Sequence, residues 1–357
     1  MADLYGLRTR DAAGAITLDT SIATIRSLKM MQVTGTGPYN QYFAIPEIKA
    51  DSFVVVDALF KGASWDGTWS PQAFWTDGQL QLRAAGTRTW QVMILSQGEP
   101  FATPTTYGLR ANNNGNKVQI DPVNRMLNIR YSGNFEFGVI KVPGGVEQPS
   151  PNFSYQFPEP ITTYERPLIF LNAADYMMVS AFYVDGVPGN WTGWGLAHVG
   201  SAYRFHGMTT STYMKMRWFA ATYQAVRESP GAYGLRVTDA AGARIFTSSA
   251  NLVSLASQPF SNSFYNDNEP IEGGAGYTAS ARMAWTGSFE DYVLANALFS
   301  STNIEQTSNP IKSNWGGFLP GNRSILKMYT SNYSGSPTNP IGANGRTLFA
   351  ARPMRPL

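Results

Sequence analysis

The chain has 357 residues, no cysteine, a formal net charge of +3 and only 14% charged residues, against roughly 25% in a typical soluble domain. Without cysteine there are no disulfides, thiolate metal sites or cysteine nucleophiles, and the small charge, with no Lys/Arg stripe, argues against nucleic acid as a partner. No apolar run approaches the roughly 18 residues of a membrane span, and the opening Met1-Ala-Asp-Leu-Tyr5 has neither the basic nor the apolar region of a secretory signal.

The first feature along the chain is Tyr5-Gly6-Leu7-Arg8, and it recurs as Tyr107-Gly108-Leu109-Arg110 and Tyr233-Gly234-Leu235-Arg236. A building block is used repeatedly, whereas a catalytic motif is usually needed once, so internal repetition frames the whole reading. The flanks repeat as well. Asp11-Ala-Ala-Gly14 follows the first copy and Asp239-Ala-Ala-Gly242 the third. The second has Asn112-Asn-Asn-Gly115, with its glycine one residue nearer the tyrosine. Asp19, Asp121 and Thr247 each lie 14 residues after their tyrosine, and Ile25, Leu127 and Val253 each lie 20 after.

Alternation in Tyr-Gly-Leu-Arg places Tyr and Leu on one face of a strand and Gly and Arg on the other. Asp-Ala-Ala-Gly then reads as a turn. The Asp carboxylate accepts nearby backbone N–H groups, and Gly tolerates the positive φ that such a turn requires. Each copy is therefore expected to open with a β-hairpin. Its tyrosine and leucine should be buried, and its glycine should sit where a neighbour packs close. Asp19 and Asp121 recur with the fold and read as structural.

The tyrosines are 102 and 126 residues apart, within the usual size of one domain. Gly98-Glu-Pro-Phe-Ala-Thr-Pro and Glu228-Ser-Pro-Gly lie at the seams, punctuated as linkers are. The expected modules are residues 1–104, 105–230 and 231–357. Each continues with apolar strand runs: Ser52-Phe-Val-Val-Val-Asp-Ala-Leu-Phe60, Tyr176-Met-Met-Val-Ser-Ala-Phe-Tyr183 and Asp291-Tyr-Val-Leu-Ala-Asn-Ala-Leu-Phe299. Trp-Gly segments follow, at Trp65 and Trp69, at Trp191 and Trp194, and at Trp315. Aromatic strands close each copy around Trp90, Trp218 and Phe349. No long amphipathic helix is evident. The expectation is an all-β protein of three tandem β-sandwich modules.

Chemistry is sparse. His198 and His206 are the two histidines, too few for a zinc site by themselves. No Gly-x-Ser-x-Gly elbow or phosphate-cradling glycine loop occurs. Asp66 and Asp185, each near tryptophans, are the carboxylates that a glycosidase would use, and each also suits a turn. No enzyme activity, metal or cofactor is expected. Trp65, Trp69, Trp191, Trp194 and Trp315 have two readings: glycan contacts that stack on sugar rings, or, the favoured one because they recur in all three copies, plugs for the ends of a sandwich or for an interface with the next subunit. Loops 185–208 and 329–345 are the copy-specific candidates for recognition.

The opening Tyr-Gly-Leu-Arg-x-x-Asp-Ala-Ala-Gly with a downstream Asp resembles a family of small β-rich proteins encoded among the tail genes of long-tailed, siphovirus-type bacteriophages. Family members are about one such module long, and here the pattern covers most of the chain in three copies. The second copy departs from it at Asn112-Asn-Asn. The resemblance implies a virion component of the tail tip, baseplate or fibre, assembled in the host cytoplasm. The expected partners are other tail proteins and further copies of this chain, with a homotrimer favoured. The alternative is a receptor- or glycan-binding tail adhesin that contacts the host surface.

Overall fold

The structure, a computed structural model, describes residues 8–10, 14, 16–19, 26–37, 40–49, 52–58, 69–83, 86–96, 108–113, 116–121, 125–138, 140–141, 147–148, 153–173, 177–180, 182–196, 213–224, 234–261, 265–270, 277–285, 288–299, 301–303, 311–312, 314–319, 322–330 and 348–357. Tyr5, Gly6, Leu7, Tyr107, Tyr233, Trp65, Asp66, His198 and His206 lie outside the described residues.

The first copy has β1 (Arg8–Arg10), β2 (Ile16–Asp19), β3 (Arg26–Thr34), β4 (Gln41–Ala44), β5 (Phe53–Ala58), β6 (Trp69–Ser70), β7 (Gln72–Thr76), β8 (Gln79–Arg83) and β9 (Thr89–Ser96). The second has β10 (Leu109–Asn113), β11 (Asn116–Ile120), β12 (Asn128–Gly138), β13 (Ile140–Lys141), β14 (Glu147–Gln148), β15 (Phe153–Ile161), β16 (Leu168–Ala173), β17 (Met177–Ser180), β18 (Phe182–Val187), β19 (Asn190–Leu196) and β20 (Tyr213–Thr222). The third has β21 (Arg236–Thr238), β22 (Arg244–Thr247), β23 (Val253–Ser261), β24 (Tyr265–Pro270), β25 (Tyr277–Ala284), β26 (Tyr292–Leu294), β27 (Ser301–Asn303), β28 (Ile311–Lys312), β29 (Asn314–Leu319), β30 (Asn322–Thr330) and β31 (Leu348–Pro353). The one helix among the described residues is the single turn α1 (Ala295–Leu298). The all-β expectation holds.

The three copies share one strand plan. Each starts with a hairpin: β1–β2, β10–β11 or β21–β22. Each then has an inner trio in the same order, β3-β9-β5, β12-β20-β16 and β23-β31-β26. Each also has an outer trio, β4-β8-β7, β15-β19-β18 and β25-β30-β29.

Inner strands are apolar on both faces, and period-2 alternation sends the two faces to different cores. On β5, Val54 and Val56 pack with Leu80 and Leu82 of the first copy's outer sheet. Phe53 and Val55 point the other way, into a core shared by all three copies with Leu168, Phe170 and Phe219 and with Tyr292, Leu294 and Phe349. Phe53 stacks on Phe349 with ring centroids 4.4 Å apart, and Phe170 on Phe219 at 4.7 Å. Burial on both faces is why these segments read as continuous apolar runs rather than alternating ones. Each such buried side chain contributes about 1.5–3 kcal/mol.

That second apolar face corrects the expectation of three separate sandwiches. A sandwich of its own satisfies one face of β5, β16 or β26, and the other face must meet a neighbour. Phe170 pairs with Leu294 and Leu171 with Val293, so β16 and β26 join the second and third inner trios across residue 230. The result is a six-stranded sheet, β12-β20-β16-β26-β31-β23, with equivalent strands in mirrored order. Short strands also change copies. β17 adds to β29, with Val179 opposite Gly316. β27 of the third copy pairs in parallel with β6 of the first, Ser301 opposite Trp69.

The counterpart of 52–60 in the second copy is Leu168–Ala173, not the run at 176–183, part of which forms β17. The Trp-Gly segments are not equivalent either. Trp191 and Trp194 lie on β19, the returning strand of a hairpin, and Trp315 lies on β29, the outgoing strand of the matching one.

The hairpins carry the expected turn chemistry. The Asp239 carboxylate accepts N–H bonds from Ala241 and Ala243 at 2.9 and 2.8 Å, and Gly242 has φ +77°. In the first copy Arg10 donates to the Gly14 carbonyl at 2.6 Å. Hairpins one and three share a bulge, with Thr9 opposite Leu18 and Val237 opposite Phe246 before the register shifts. The second hairpin has no bulge, and its pairing is displaced by two residues, Leu109 opposite Ile120. An even displacement keeps the same residues inward. Leu18, Ile120 and Phe246, each 13 residues after its tyrosine, are accordingly buried in one cluster that unites the three hairpins.

Within the repeat motif, Leu109 and Leu235 are half-buried against this cluster rather than fully enclosed. The glycines do meet close neighbours. Gly108 has φ +146°, and a Cβ there would lie 2.5 Å from the Ile120 carbonyl oxygen. A Cβ on Gly234 would collide with the Ser248 hydroxyl. Arg8 and Arg236 are exposed on their strands, and Arg110 lies on β10.

Candidate assembly junction

A polar residue interrupts each inner-edge run at the same place. Asp57 is four residues after Phe53, Asn172 four after Leu168, and Asn296 four after Tyr292. All three are buried. On β5 and β16 four residues along the strand returns to the same face, here the face that meets the other copies, and Asn296 reaches the same boundary from α1, just past the end of β26.

Asp57 is met by the other two copies. Arg166, in the bend before β16, places Nη1 2.6 Å from its Oδ1, and Asn296 donates Nδ2 to its Oδ2 at 3.1 Å. The ion pair is out of water, with side-chain exposures of 2% for Arg166 and 7% for Asp57. Gln91, opposite Asp57 on β9, accepts the Arg166 backbone N–H at 3.1 Å. The guanidinium also lies 5.2 Å from the centre of the Trp191 ring, a cation–π distance. Burial lowers the Arg166 pKa, and attraction and hydrogen bonding to Asp57 oppose that shift. A buried guanidinium without its carboxylate is strongly destabilising, so this pair ties the first copy to the second.

Asn296 completes the junction by accepting the Ile169 N–H at 2.8 Å and donating to the Pro167 carbonyl at 3.2 Å. Its counterpart Asn172 donates to the Phe289 and Asp291 carbonyls of the third copy at 3.0 and 2.5 Å. Arg217, opposite Asn172, donates to Phe289 O at 2.5 Å and lies 5.6 Å from the centre of the Tyr292 ring. Asp291 accepts the Ser288 N–H at 2.8 Å and pairs with Arg352 at 2.8 Å.

This arrangement is dry and electrically matched. The Asp57 carboxylate meets the Arg166 guanidinium on one oxygen and the Asn296 amide on the other, which suits holding rather than reacting. Among the described residues no three His, Asp or Glu gather to hold a metal ion, and no helix is long and apolar enough to cross a membrane.

Trp191 and Trp194 require correction as glycan or interface contacts. Both are fully buried. Trp191 donates its indole N–H to the Thr163 carbonyl at 3.0 Å, and Trp194 packs edge-on against Trp218 with centroids 5.1 Å apart. They fill the core because β19 is the central strand of its trio. Trp69 and Trp315 lie on β6 and β29, at the strand pairings between copies. Asp185 sits half-buried on β18.

Sequence reasoning missed the junction although its signal was present. Aligning 52–60 with 291–299 puts Asp57 over Asn296, a polar residue inside a two-faced apolar run. Such a residue needs a buried partner. Arg166 carried no comparable signal, since its role depends on which copies touch.

Comparison with protein-family models, with curated proteins and with solved structures found no match to the chain.

Proposed function

We propose that this chain is a structural component of a bacteriophage tail, at the tip, baseplate or fibre, that assembles with copies of itself and with neighbouring tail proteins. The observation that carries this reading is the way its copies associate. The unit pairs its inner edge with the equivalent edge of another copy, β16 with β26, and passes short strands to its neighbours. A unit with edges suited to its own kind is a unit for building. The resemblance of its opening motif to tail-encoded modules points the same way, and so does the placement of its buried polar groups between copies. The virion is then its location, and further self-association, with a trimer favoured, its mode of assembly.

A receptor- or glycan-binding adhesin is the competing reading, and two of its five candidate contacts, Trp191 and Trp194, are enclosed in the core. Sedimentation of the purified chain, with and without host lipopolysaccharide, separates the two. Concentration-dependent self-association with no lipopolysaccharide binding is expected. A monomer that binds lipopolysaccharide would replace the structural reading with the adhesin.

A further inference from the structure

We propose that the Asp57–Arg166 pair fixes which copy of the repeat occupies which place in the assembled body. The copies are close to interchangeable at their contacts. β5, β16 and β26 all present an apolar face to the shared core, and β16 and β26 already pair as equivalents. Apolar burial by itself does not distinguish arrangements in which copies trade places. At the common polar position the three side chains have nearly one shape, Asp57, Asn172 and Asn296, and one of them carries a charge.

That charge discriminates. Asn172 donates its amide to the Phe289 and Asp291 carbonyls, and Asn296 donates to the Pro167 carbonyl. An ionised Asp has no proton to donate. Put in the place of Asn172 or Asn296, Asp57 would press a carboxylate against carbonyl oxygens away from water. Arg166 would at the same time be buried without an anion. Both faults are expensive. In the observed arrangement Asp57 meets the guanidinium of Arg166 and the amide of Asn296. The pair therefore penalises the wrong arrangements, in the way a buried polar residue sets register in other assemblies.

The test separates specificity from stability. The chain has nine Trp, so a TROSY spectrum of the refolded protein reports its packing through its indole N–H signals. The variants are D57N, R166Q and D57N/R166Q, each unfolded in denaturant and refolded. Each single variant is expected to melt lower than the parent, because each leaves one buried polar partner unmatched. The double variant is expected to melt close to the parent yet to show a second set of indole signals, from copies packed in exchanged places. Nine indole signals in the refolded double variant would overturn the proposal. So would a double variant that melts as low as the singles or fails to fold, since the pair would then act through stability. Single variants that melt like the parent would overturn it as well.

Discussion

Asn172 and Asn296 make the same bond in opposite directions. Asn172 of the second copy donates to the Asp291 carbonyl of the third, and Asn296 of the third donates to the Pro167 carbonyl of the second. Asp291 and Pro167 each immediately precede the first residue of their inner-edge strand. The exchange follows from antiparallel pairing of equivalent strands, which brings the end of each strand to the start of the other.

Changing Asn172 to Ala removes a donor to the buried Asp291 carbonyl and to the partly buried Phe289 carbonyl. The expected cost is about 1–3 kcal/mol, read as a lower melting temperature by circular dichroism. An unchanged melting temperature would mean that the bond does not bridge the copies.

The hairpin cluster gives a graded pair. Phe246 is fully buried there and Leu235 half-buried. Phe246→Ala should cost about 3–5 kcal/mol through the cavity it leaves, and Leu235→Ala clearly less. Urea denaturation of both variants checks the order, and a larger loss for Leu235→Ala would place the motif leucine at the centre of the cluster instead.

Trp194→Ala distinguishes core from contact. With the ring enclosed against Phe135 and Trp218, the variant should lose about 3–5 kcal/mol and unfold at a lower urea concentration. A variant of parental stability that had lost binding to a glycan would return Trp194 to the surface.

Tyr292 supplies a dependence on pH. Burial raises its pKa above the ordinary value of 10.0, Arg217 works against this and Glu290 adds to it. A raised pKa in the folded state means that the unfolded chain loses this proton first. The contribution of Tyr292 is thus complete below about pH 10 and is lost as pH rises through the folded value. Tyr292→Phe should lose less stability than the parent when urea midpoints are compared from about pH 9 to about pH 11. Parallel alkaline losses in the two proteins would contradict the shift.

The hairpins were legible because their chemistry is local. Asp239, Ala241 and Gly242 interact within five residues, and the displaced Gly115 already signalled that the second hairpin pairs differently. The inner strands at 52–60 and 291–299 were legible as apolar runs, but the second is a strand at Tyr292–Leu294 and then turns into α1 at Ala295–Leu298. Their second buried face was the part that one copy cannot show. Val54 needs a partner from its own copy and Phe53 one from elsewhere, yet in the sequence both are apolar residues side by side. The tryptophans misled for a related reason. Trp191 sits beside Gly189 and Gly193, a loop-like neighbourhood, but Gly189 with φ +83° makes the turn while Trp191 has already entered the central strand. The Asp57–Arg166 contact spans 109 positions and becomes visible when the copies are packed.

The place of this chain in an assembled particle bears most directly on its proposed role. Particles released from the host that carries the gene can be purified, analysed by mass spectrometry and imaged by cryo-electron microscopy. A structural tail role predicts peptides from this chain in fixed proportion to other tail proteins, and density for its three-copy body at the tip, baseplate or fibre in contact with further copies. Particles that are complete and infectious without the chain, with all of it left free in the lysate, would contradict it.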